Sequence, residues 1–332
     1  MNHLNAYTFG VLESGSKVFA YPISAGKLRA TVLGFGATLQ ELYLEGCPHS
    51  LILGSASLTD YRHALKYAGA IVGPVANRIS NGHFRIGAQA FDLDKNFLHT
   101  HCLHGGQNAA SGQVWQLIEH QESEVTLGLE LADKHMGFPG PISITVRYAL
   151  NRQNQLSIDI RVRSEQIIPC SWTGHAYFNL DGSAQLSGHR LQVDADRYLP
   201  VDAELIPSGE VRPVSGSAFD LRQATSLTGL SLDHNFCITD QPERKMRKVA
   251  RLDSIISGIS MQLESNEPGL QVYTGDHLRT EACSFRAGIA LEPQGWPDAL
   301  NQPSFPSILF RPGETYHHQS CYTFTQTVDR ST

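Results

Sequence analysis

The sequence lacks the features that mark membrane, secreted and nucleic-acid-binding proteins. No apolar run approaches the length needed to cross a bilayer, and the first residues show no basic start followed by an apolar core. We therefore expect neither a membrane span nor a secretory signal. The formal net charge of -6 and the missing basic arm argue against nucleic acid as a partner.

Cysteine is sparse, and its spacing forms no recognisable pattern. Six cysteines are scattered through 332 residues without any Cys-x-x-Cys pair. In a long chain without a secretory signal this favours free thiols over a disulfide framework, and hence a cytoplasmic location. There is also no Pro/Ser-rich linker and no fixed-period repeat, so we expect residues 1–332 to form a single domain.

Helical periodicity is nearly absent, with Ser57–Arg62 as the one candidate turn. The dominant period is two: between residues 156 and 163 apolar residues alternate with polar ones, which is typical of a strand with one solvated face. The same alternation recurs in residues 18–23, 28–33, 38–44, 125–131, 142–148 and 315–325. Many short strands separated by turn residues predict an all-β fold, a large antiparallel sandwich or barrel. In such a fold one concave sheet face usually builds the ligand cleft.

Cofactor-binding and nucleophile motifs are missing as well. The sequence contains neither G-x-x-x-x-G-K nor G-x-G-x-x-G in its glycine-containing loop at residues 73–82, and no G-x-S-x-G. We therefore expect no cofactor, and chemistry limited to proton transfer between side chains and substrate.

Glu292 is the carboxylate with the most distinctive surroundings. It directly follows the apolar run Gly288–Leu291 and precedes the proline-rich segment 293–312, which excludes a long helix or a central strand there. We interpret Glu292 as a strand-end carboxylate aimed by a rigid loop, with Trp296 and Phe305 as candidates for lining or shielding that loop. The alternative is a solvated strand-end residue beside a stiffened edge.

Asn77 and Arg78 stand side by side in a loop, where the guanidinium would suit a carboxylate or a pair of hydroxyls. A surface arginine in a turn is the alternative. His99, His101 and His104 raise the question of a metal, but no acidic residue in their segment completes a ligand set. Hydrogen-bonding site residues are the favoured interpretation of these histidines, and no metal is expected.

Two further candidates lie among apolar neighbours. His175 and Tyr177 stand in an aromatic segment suited to packing on a sugar ring, although a core histidine bonded to a carbonyl is the alternative. Asp233 has apolar neighbours on one side, and buried carboxylates are rare unless paired or ligand-bound. A glutamate base and a histidine acid could together shuttle protons near neutral pH.

Six motifs follow one another in a fixed order along most of the chain. They are Asn77-Arg78-Ile79 with Gly82 and Phe84, Leu103-His104-Gly105-Gly106, His175-Ala176-Tyr177-Phe178-Asn179-Leu180, Leu232-Asp233-His234, Pro268-Gly269-Leu270-Gln271-Val272-Tyr273-Thr274-Gly275, and Leu291-Glu292-Pro293-Gln294 through Arg311-Pro312-Gly313-Glu314-Thr315-Tyr316. Each motif alone is weak, but all six in order are highly specific. Together they resemble the aldose 1-epimerases, also called galactose mutarotases.

The resemblance implies a galactose mutarotase-like antiparallel β-sandwich with an open sugar-binding cleft, without metal or cofactor. By analogy Glu292 is the general base that takes the proton from the anomeric hydroxyl of a free aldohexose such as galactose or glucose. His175 is the general acid that protonates the ring oxygen. The reverse transfers then close the ring to the other anomer.

The remaining site residues follow from the same resemblance. Arg78, His104 and Asp233 would hold sugar hydroxyls, with His104 also close to the ring oxygen and thus part of the catalytic group. Asn77 and Tyr177 would support them as substrate-binding residues.

Three departures from the family pattern concern the shape of the cleft. Residues 107–114 replace the family's usual Phe-Asp-Lys element before Trp115, Gly174 stands where an Asn is common, and so does Asp276. None removes a proposed catalytic residue, so they bear on substrate preference.

Three other functions stay open at the level of sequence. A glycosidase would use Asp233 and Glu292 as its carboxyl pair. A hexose-6-phosphate 1-epimerase would need a phosphate clamp of two or more basic groups beside Arg78. A non-catalytic sugar-binding module would keep the fold without the acid–base couple. Oligomeric state, monomer or homodimer, is equally open.

Overall fold

The computed structural model describes residues 5–240, 245–278 and 286–327, and strands dominate these ranges. The helical elements within them are α1 (Leu58–Arg62) and 3₁₀ turns at Ser80–Gly82, Ala110–Gly112, His135–Gly137 and Leu186–Gly188. None of these helices has the length and apolar composition that a membrane crossing requires. The predicted turn at 57–62 is present, with Leu58 and Tyr61 buried.

The strands are, in chain order, β1 (Tyr7–Val11), β2 (Lys17–Ala25), β3 (Leu28–Leu33), β4 (Thr38–Leu44), β5 (Ile71–Val72), β6 (Arg78–Ile79), β7 (His83–Ile86), β8 (Gln89–Asp92), β9 (Cys102–Leu103), β10 (Gln116–His120), β11 (Glu124–Leu131), β12 (Ile142–Leu150), β13 (Gln155–Ser164), β14 (Ile168–Pro169), β15 (Thr173–Gly174), β16 (Tyr177–Phe178), β17 (His189–Val193), β18 (Arg197–Tyr198), β19 (Arg212–Pro213), β20 (Thr225–Ser226), β21 (Asp233–Cys237), β22 (Arg247–Ser254), β23 (Ile259–Ser265), β24 (Gly269–Tyr273), β25 (Ile289–Gln294), β26 (Leu309–Phe310) and β27 (Tyr316–Gln326). Every run predicted from the period of two coincides with one of these strands. The all-β class is therefore confirmed.

The longer strands form three antiparallel sheets. The largest has nine strands in the order β10-β11-β12-β13-β27-β23-β22-β17-β20, a second has six in the order β16-β25-β24-β21-β18-β19, and a third has four in the order β1-β2-β3-β4. Short pairs such as β6-β9 and β15-β5 connect them. The large antiparallel sandwich expected from the sequence is thus present.

The nine-stranded and six-stranded sheets pack their apolar faces into a common core. Leu270 of β24, Leu291 of β25 and Ile160 of β13 belong to this core. Because side chains alternate along a strand, Gln271 and Glu292 point to the opposite face of the six-stranded sheet. The hydrophobic face therefore fixes the direction in which the polar face is presented.

Glu292 does not end its strand as the sequence suggested. β25 continues through Pro293 to Gln294, with Pro293 opposite Leu270 of β24. On its other edge β25 pairs with β16 at Ile289 and Ala290 and not at Pro293. The missing N–H of Pro293 therefore leaves no carbonyl of β16 without a donor. The strand was predicted too short because proline is compatible with a strand wherever one edge is unpaired.

Candidate active site

One cleft of about 360 Å³ lies on the polar face of the six-stranded sheet. Its lining includes all seven residues singled out from the sequence, which are Asn77, Arg78, His104, His175, Tyr177, Asp233 and Glu292. Most come from short strands or the residues flanking them, so their backbones are fixed by ladder hydrogen bonds.

His175 lies two residues before β16 and beside Glu292 of β25. β16 pairs with β25 at Tyr177 and Phe178, whereas the backbone of His175 donates to the Ala70 carbonyl and accepts from the Gly69 N–H, both at 2.9 Å. His175 Nε2 lies 3.6 Å from Glu292 Oε1, and both side chains are almost fully buried. On the other edge of β25, Gln271 of β24 lies directly opposite Glu292. The Glu292 side chain therefore has His175 and Gln271 as polar neighbours.

Burial displaces the pKa values of this pair toward their neutral forms. The pKa of Glu292 is raised well above its ordinary value of 4.5 by burial and by Asp233, while Arg78 opposes the shift. Burial lowers the pKa of His175 from 6.5 to about 4. Glu292 Oε2 and His175 Nδ1 are buried without a hydrogen-bond partner in the described part of the chain. Such unpaired polar atoms cost about 1–3 kcal/mol each, which a polar ligand in the cleft would offset.

Arg78 and Asp233 form an ion pair at the side of the cleft. Arg78 Nη2 lies 3.2 Å from Asp233 Oδ2, and the other carboxylate oxygen accepts a 2.6 Å hydrogen bond from Gln271 Nε2. Asn77 Oδ1 accepts from the backbone N–H of Arg78 at 2.8 Å and from its Nη1 at 3.3 Å. The amide oxygen of Asn77 is thus used inside the protein to orient Arg78.

His104 is held in an unusual backbone conformation immediately after β9. Its φ of +52° is in the left-handed region, which costs of order 1–3 kcal/mol for a residue with a side chain. Gly105 follows with φ +86°, and a Cβ there would lie 2.3 Å from the carbonyl oxygen of Gly73. Only glycine fits at this position, so the turn that presents His104 depends on it.

The tautomer of His104 follows from its contacts with Asn77. The backbone N–H of Asn77 donates to His104 Nδ1 at 3.2 Å, and the N–H of His104 donates to the Asn77 carbonyl at 2.9 Å. Burial, reinforced by His175 and Arg78, lowers the pKa of His104 well below 6.5. In this neutral imidazole Nδ1 is an acceptor, so Nε2 carries the proton and is a donor.

The same tautomer weighs against a metal ion. His104, His175 and Glu292 bring three ligand-type atoms within 4.8 Å of one another, a spacing that by itself fits a divalent cation. A metal-bound histidine normally donates through its other ring nitrogen, whereas His104 Nδ1 accepts, which leaves a proton on Nε2. The three-histidine alternative does not hold either, because His101 Nδ1 accepts from Asn81 N and its Nε2 lies 3.1 Å from Glu204.

Aromatic rings form the walls of the cleft. His175 lies 5.1 Å from both the His104 and Tyr177 rings, measured between centroids. Burial raises the pKa of Tyr177 well above 10, so its hydroxyl remains protonated. Tyr67 covers the two histidines, with centroids 4.7 Å from His104 and 6.2 Å from His175. Phe97 lies under the Arg78 guanidinium at 4.5 Å.

Tyr67 and Phe97 line the cleft and Gln271 holds Asp233 beside it, and none of the three was predicted as a site residue from the sequence. Tyr67 and Phe97 precede or follow the motifs by several residues, and no spacing rule connects them to the cleft. The alternation of side chains along β24 does provide a signal for Gln271. Because Leu270 points into the core, the next residue, Gln271, points to the other face of the sheet.

Trp296 and Phe305, predicted to line or shield the proline-rich loop, pack behind it and outside the cleft lining. Their rings pack edge to face at 5.1 Å in a separate buried cluster with Leu199 and Cys237. Trp296 Nε1 donates to the carbonyl of Pro268 at 3.1 Å. They anchor the proline-rich segment from behind, because burying two large rings gains more than exposing them to a polar cleft.

Comparisons with known proteins match the chain over nearly its full length. Residues 20–323 match the family model described as aldose 1-epimerase. The galactose mutarotase of Rattus norvegicus is 36% identical over 96% of this chain and 97% of its own, and the aldose 1-epimerase of Escherichia coli (strain K12) is 31% identical over 89% and 91%. A solved GalM/aldose epimerase homologue from C. elegans superposes with a TM-score of 0.87 at 29% identity, covering 93% of this chain and 99% of its own.

Proposed function

The chain belongs to the aldose 1-epimerase family and is an enzyme of that family, and we propose that it interconverts the α and β anomers of free hexoses such as galactose and glucose. The observation that carries the proposal is the contact of 3.6 Å between Glu292 and His175 in the cleft. A volume of about 360 Å³ falls in the range of small-molecule sites, which runs from about 300 to 1,000 Å³.

Ring opening uses the two groups in opposite directions. Glu292, as the base, accepts the proton of the C1 hydroxyl, and His175, as the acid, donates a proton to the ring oxygen. The C1–O5 bond breaks, and the C1–O1 bond becomes the carbonyl of the open-chain aldehyde. Rotation about C1–C2 presents the other face of the carbonyl, and reclosure by the reverse transfers restores both groups.

This cycle requires that Glu292 and His175 share one transferable proton. Because burial disfavours both charged forms, Glu292 and His175 together retain a single proton over a wide pH range. The reaction begins from the distribution in which His175 holds that proton and Glu292 is a carboxylate. Arg78 favours this distribution because its charge lowers the pKa of Glu292.

The other cleft residues supply binding. We assign the Arg78–Asp233 pair and His104 Nε2–H to the sugar hydroxyls and ring oxygen, and Asn77 to the orientation of Arg78. Gln271 lies outside the cleft lining, and we assign it to holding Asp233 through its 2.6 Å hydrogen bond.

A phosphorylated hexose is the second candidate substrate, and one observation bears on it. Lys66 lines the cleft in addition to Arg78, so two strong cations are present. Both are already engaged, since Arg78 pairs with Asp233 and Lys66 donates to Gln107 Oε1 at 3.0 Å. The negative charge of Asp233 beside Arg78 would repel a phosphate, so free hexoses are favoured.

The proposal extends to the organisation of the protein. We propose one domain for residues 1–332, supported by the core that the two largest sheets share. The five cysteines in the described ranges are free, which supports the predicted cytoplasmic location. Oligomeric state, monomer or homodimer, stays a prediction.

Polarimetry of freshly dissolved α-galactose and α-glucose tests the function. We expect the wild-type protein to accelerate the decay to the equilibrium rotation, and Glu292→Gln and His175→Asn to abolish nearly all of that acceleration. An unchanged decay rate, with sugar binding demonstrated separately by calorimetry, would overturn the proposal in favour of a non-catalytic sugar-binding module. Preferential turnover of galactose 6-phosphate would instead favour the phosphorylated substrate.

A further inference from the structure

The side chain of Asn96 makes a two-point contact with the backbone of Leu103, the residue before His104. Asn96 Nδ2 donates to the Leu103 carbonyl at 3.0 Å, and the Leu103 N–H donates to Asn96 Oδ1 at 2.8 Å. On its other edge β9 pairs with β6, with Leu103 opposite Arg78. The amide of Asn96 therefore replaces a neighbouring strand at the open edge of β9.

The same amide reaches the aromatic wall of the cleft. Asn96 Nδ2 also lies 3.3 Å from the hydroxyl of Tyr67, which accepts this hydrogen bond. Burial raises the pKa of that hydroxyl to about 12, so Tyr67 stays neutral. The Tyr67 ring packs on His104 at 4.7 Å. One side chain thus contacts both the backbone that leads into His104 and the ring that covers it.

His104 has reason to need such support. Its left-handed backbone is intrinsically unfavourable, and the three residues 104–106 all have positive φ. The hydrogen bond that fixes its tautomer, from Asn77 N to His104 Nδ1, is 3.2 Å long and depends on the relative position of β6 and β9. Removing the contact at the open edge of β9 would free this two-residue strand to shift.

We propose that Asn96 is a positioning residue for His104. By holding Leu103 and Tyr67 it keeps the imidazole aimed and within reach of the Asn77 N–H that fixes its tautomer, without touching the substrate. The kinetic part of this inference rests on the proposed function, whereas the part that concerns the tautomer does not. An ordinary loop residue would contribute to stability alone.

Substitution of Asn96 with two kinds of readout separates these roles. Asn96→Ala removes all three hydrogen bonds, and we expect kcat to fall at least about tenfold with KM changed less than about threefold, because a misplacement of about 1 Å costs up to roughly 10²-fold. Asn96→Asp keeps an acceptor for the Leu103 N–H but loses both donated bonds, so its kcat should lie between those of Asn96→Ala and wild type. Tyr67→Phe keeps the ring and should have the smallest effect.

The tautomer is measured directly by long-range proton–nitrogen correlation spectra, with His104 assigned by its loss in His104→Asn. We expect wild-type His104 to show a protonated Nε2 and an unprotonated Nδ1, and Asn96→Ala to show both tautomers in exchange. Asn151 provides a matched control, because its Oδ1 likewise accepts from backbone N–H groups, those of Gln153 and Gln155, in a turn outside the cleft lining. Asn151→Ala should lower thermal stability without altering kcat or the His104 signals.

A folded Asn96→Ala protein with wild-type kcat and wild-type His104 signals would overturn the proposal and leave Asn96 a purely structural residue. If the wild-type protein proves inactive on every sugar, the proposed function fails, and the nitrogen signals still decide the role of Asn96. If Asn96→Ala does not fold, kcat and the His104 signals are compared between Asn96→Asp and Tyr67→Phe. A larger change in Asn96→Asp supports the proposal, and wild-type values in Asn96→Asp overturn it.

Discussion

His175–Glu292 and His189–Asp181 are two buried imidazole–carboxylate pairs with almost the same separation. His175 Nε2 lies 3.6 Å from Glu292 Oε1, and His189 Nδ1 lies 3.5 Å from Asp181 Oδ2. All four side chains are at most 5% exposed. By distance and side-chain exposure the two pairs are similar, although Asp181 lies nearer the protein surface than Glu292 does.

Their hydrogen bonds differ. Asp181 accepts from Ser254 Oγ and from the Ser183 N–H, both at 2.9 Å, and His189 Nε2 accepts from the Leu180 N–H at 2.8 Å. Glu292 Oε2 and His175 Nδ1 have no partner within the described residues, and in the second pair His189 Nδ1 also lacks one while Asp181 is fully bonded. The second pair is tied into its surroundings, whereas the first keeps capacity for a ligand.

The pKa shifts follow this difference. Burial alone would raise the pKa of Asp181, but hydrogen bonds from Ser183 and Ser254 together with the nearby His189 lower it. The pKa of Glu292 is raised because burial is not compensated in the same way. A buried carboxylate whose oxygens accept hydrogen bonds from protein groups is structural. One that lacks such donors is available for proton transfer.

The largest expected difference is in turnover. His175→Asn should lower kcat about 10²–10⁴-fold, the usual contribution of a general acid, whereas His189→Asn should change kcat of the folded enzyme less than about threefold. Initial rates by polarimetry at saturating α-galactose measure both. Equal losses in the two variants would break the comparison, because they would mean that the pairs are not functionally distinct.

Removing the carboxylate charge should change the free energy of unfolding in opposite directions in the two pairs. The raised pKa of Glu292 means that the unfolded chain gives up this proton near pH 4.5 while the folded protein retains it, so stability falls as pH rises above 4.5. Glu292→Gln removes this penalty and should stabilise the protein at pH 7 by at least about 1 kcal/mol. Asp181→Asn leaves serine and histidine donors without their charged acceptor and should destabilise it by about 1–3 kcal/mol.

Urea denaturation at pH 7 gives both free energies of unfolding. Repeating it near pH 4 sharpens the comparison, since the advantage of Glu292→Gln should shrink once the unfolded carboxylate is protonated as well. A destabilised Glu292→Gln protein would show that Glu292 is bound into the fold as Asp181 is.

The pH dependence of activity should show the smallest effect. Because the pKa of His175 is lowered to about 4, kcat/KM should stay level from neutral pH down toward 4 and fall only below that, when the pair takes up a second proton. An ordinary histidine would give a limb near 6.5. The lowered pKa of both His175 and His189 also implies stability that is present above 6.5 and lost as pH falls below it, so unfolding must be followed in parallel. A limb near 6.5 in a fully folded enzyme would contradict the assigned shift.

Local patterns accounted for most of the fold. The period of two located the long strands because one face of each is buried, and that pattern is written in consecutive residues such as those of β13. The end of β25 was misplaced because the tolerance of Pro293 depends on whether β16 extends beside it. The partners of Trp296 and Phe305 could not be predicted, because Leu199 and Cys237 are far away in the chain.

The sequence by itself determined the all-β class, the family and the residue types of the candidate site, because strand periodicity and ordered motifs are local properties of the chain. Only the tertiary structure decided which of these residues touch. His175 meets Glu292 because its backbone bonds to Gly69 and Ala70 just ahead of the β16–β25 pair, and His104 receives its tautomer from Asn77 across β6 and β9. The tertiary structure also decided which buried carboxylate remains unpaired. That distinction depends on hydrogen-bond donors brought from distant segments, and no local pattern records them.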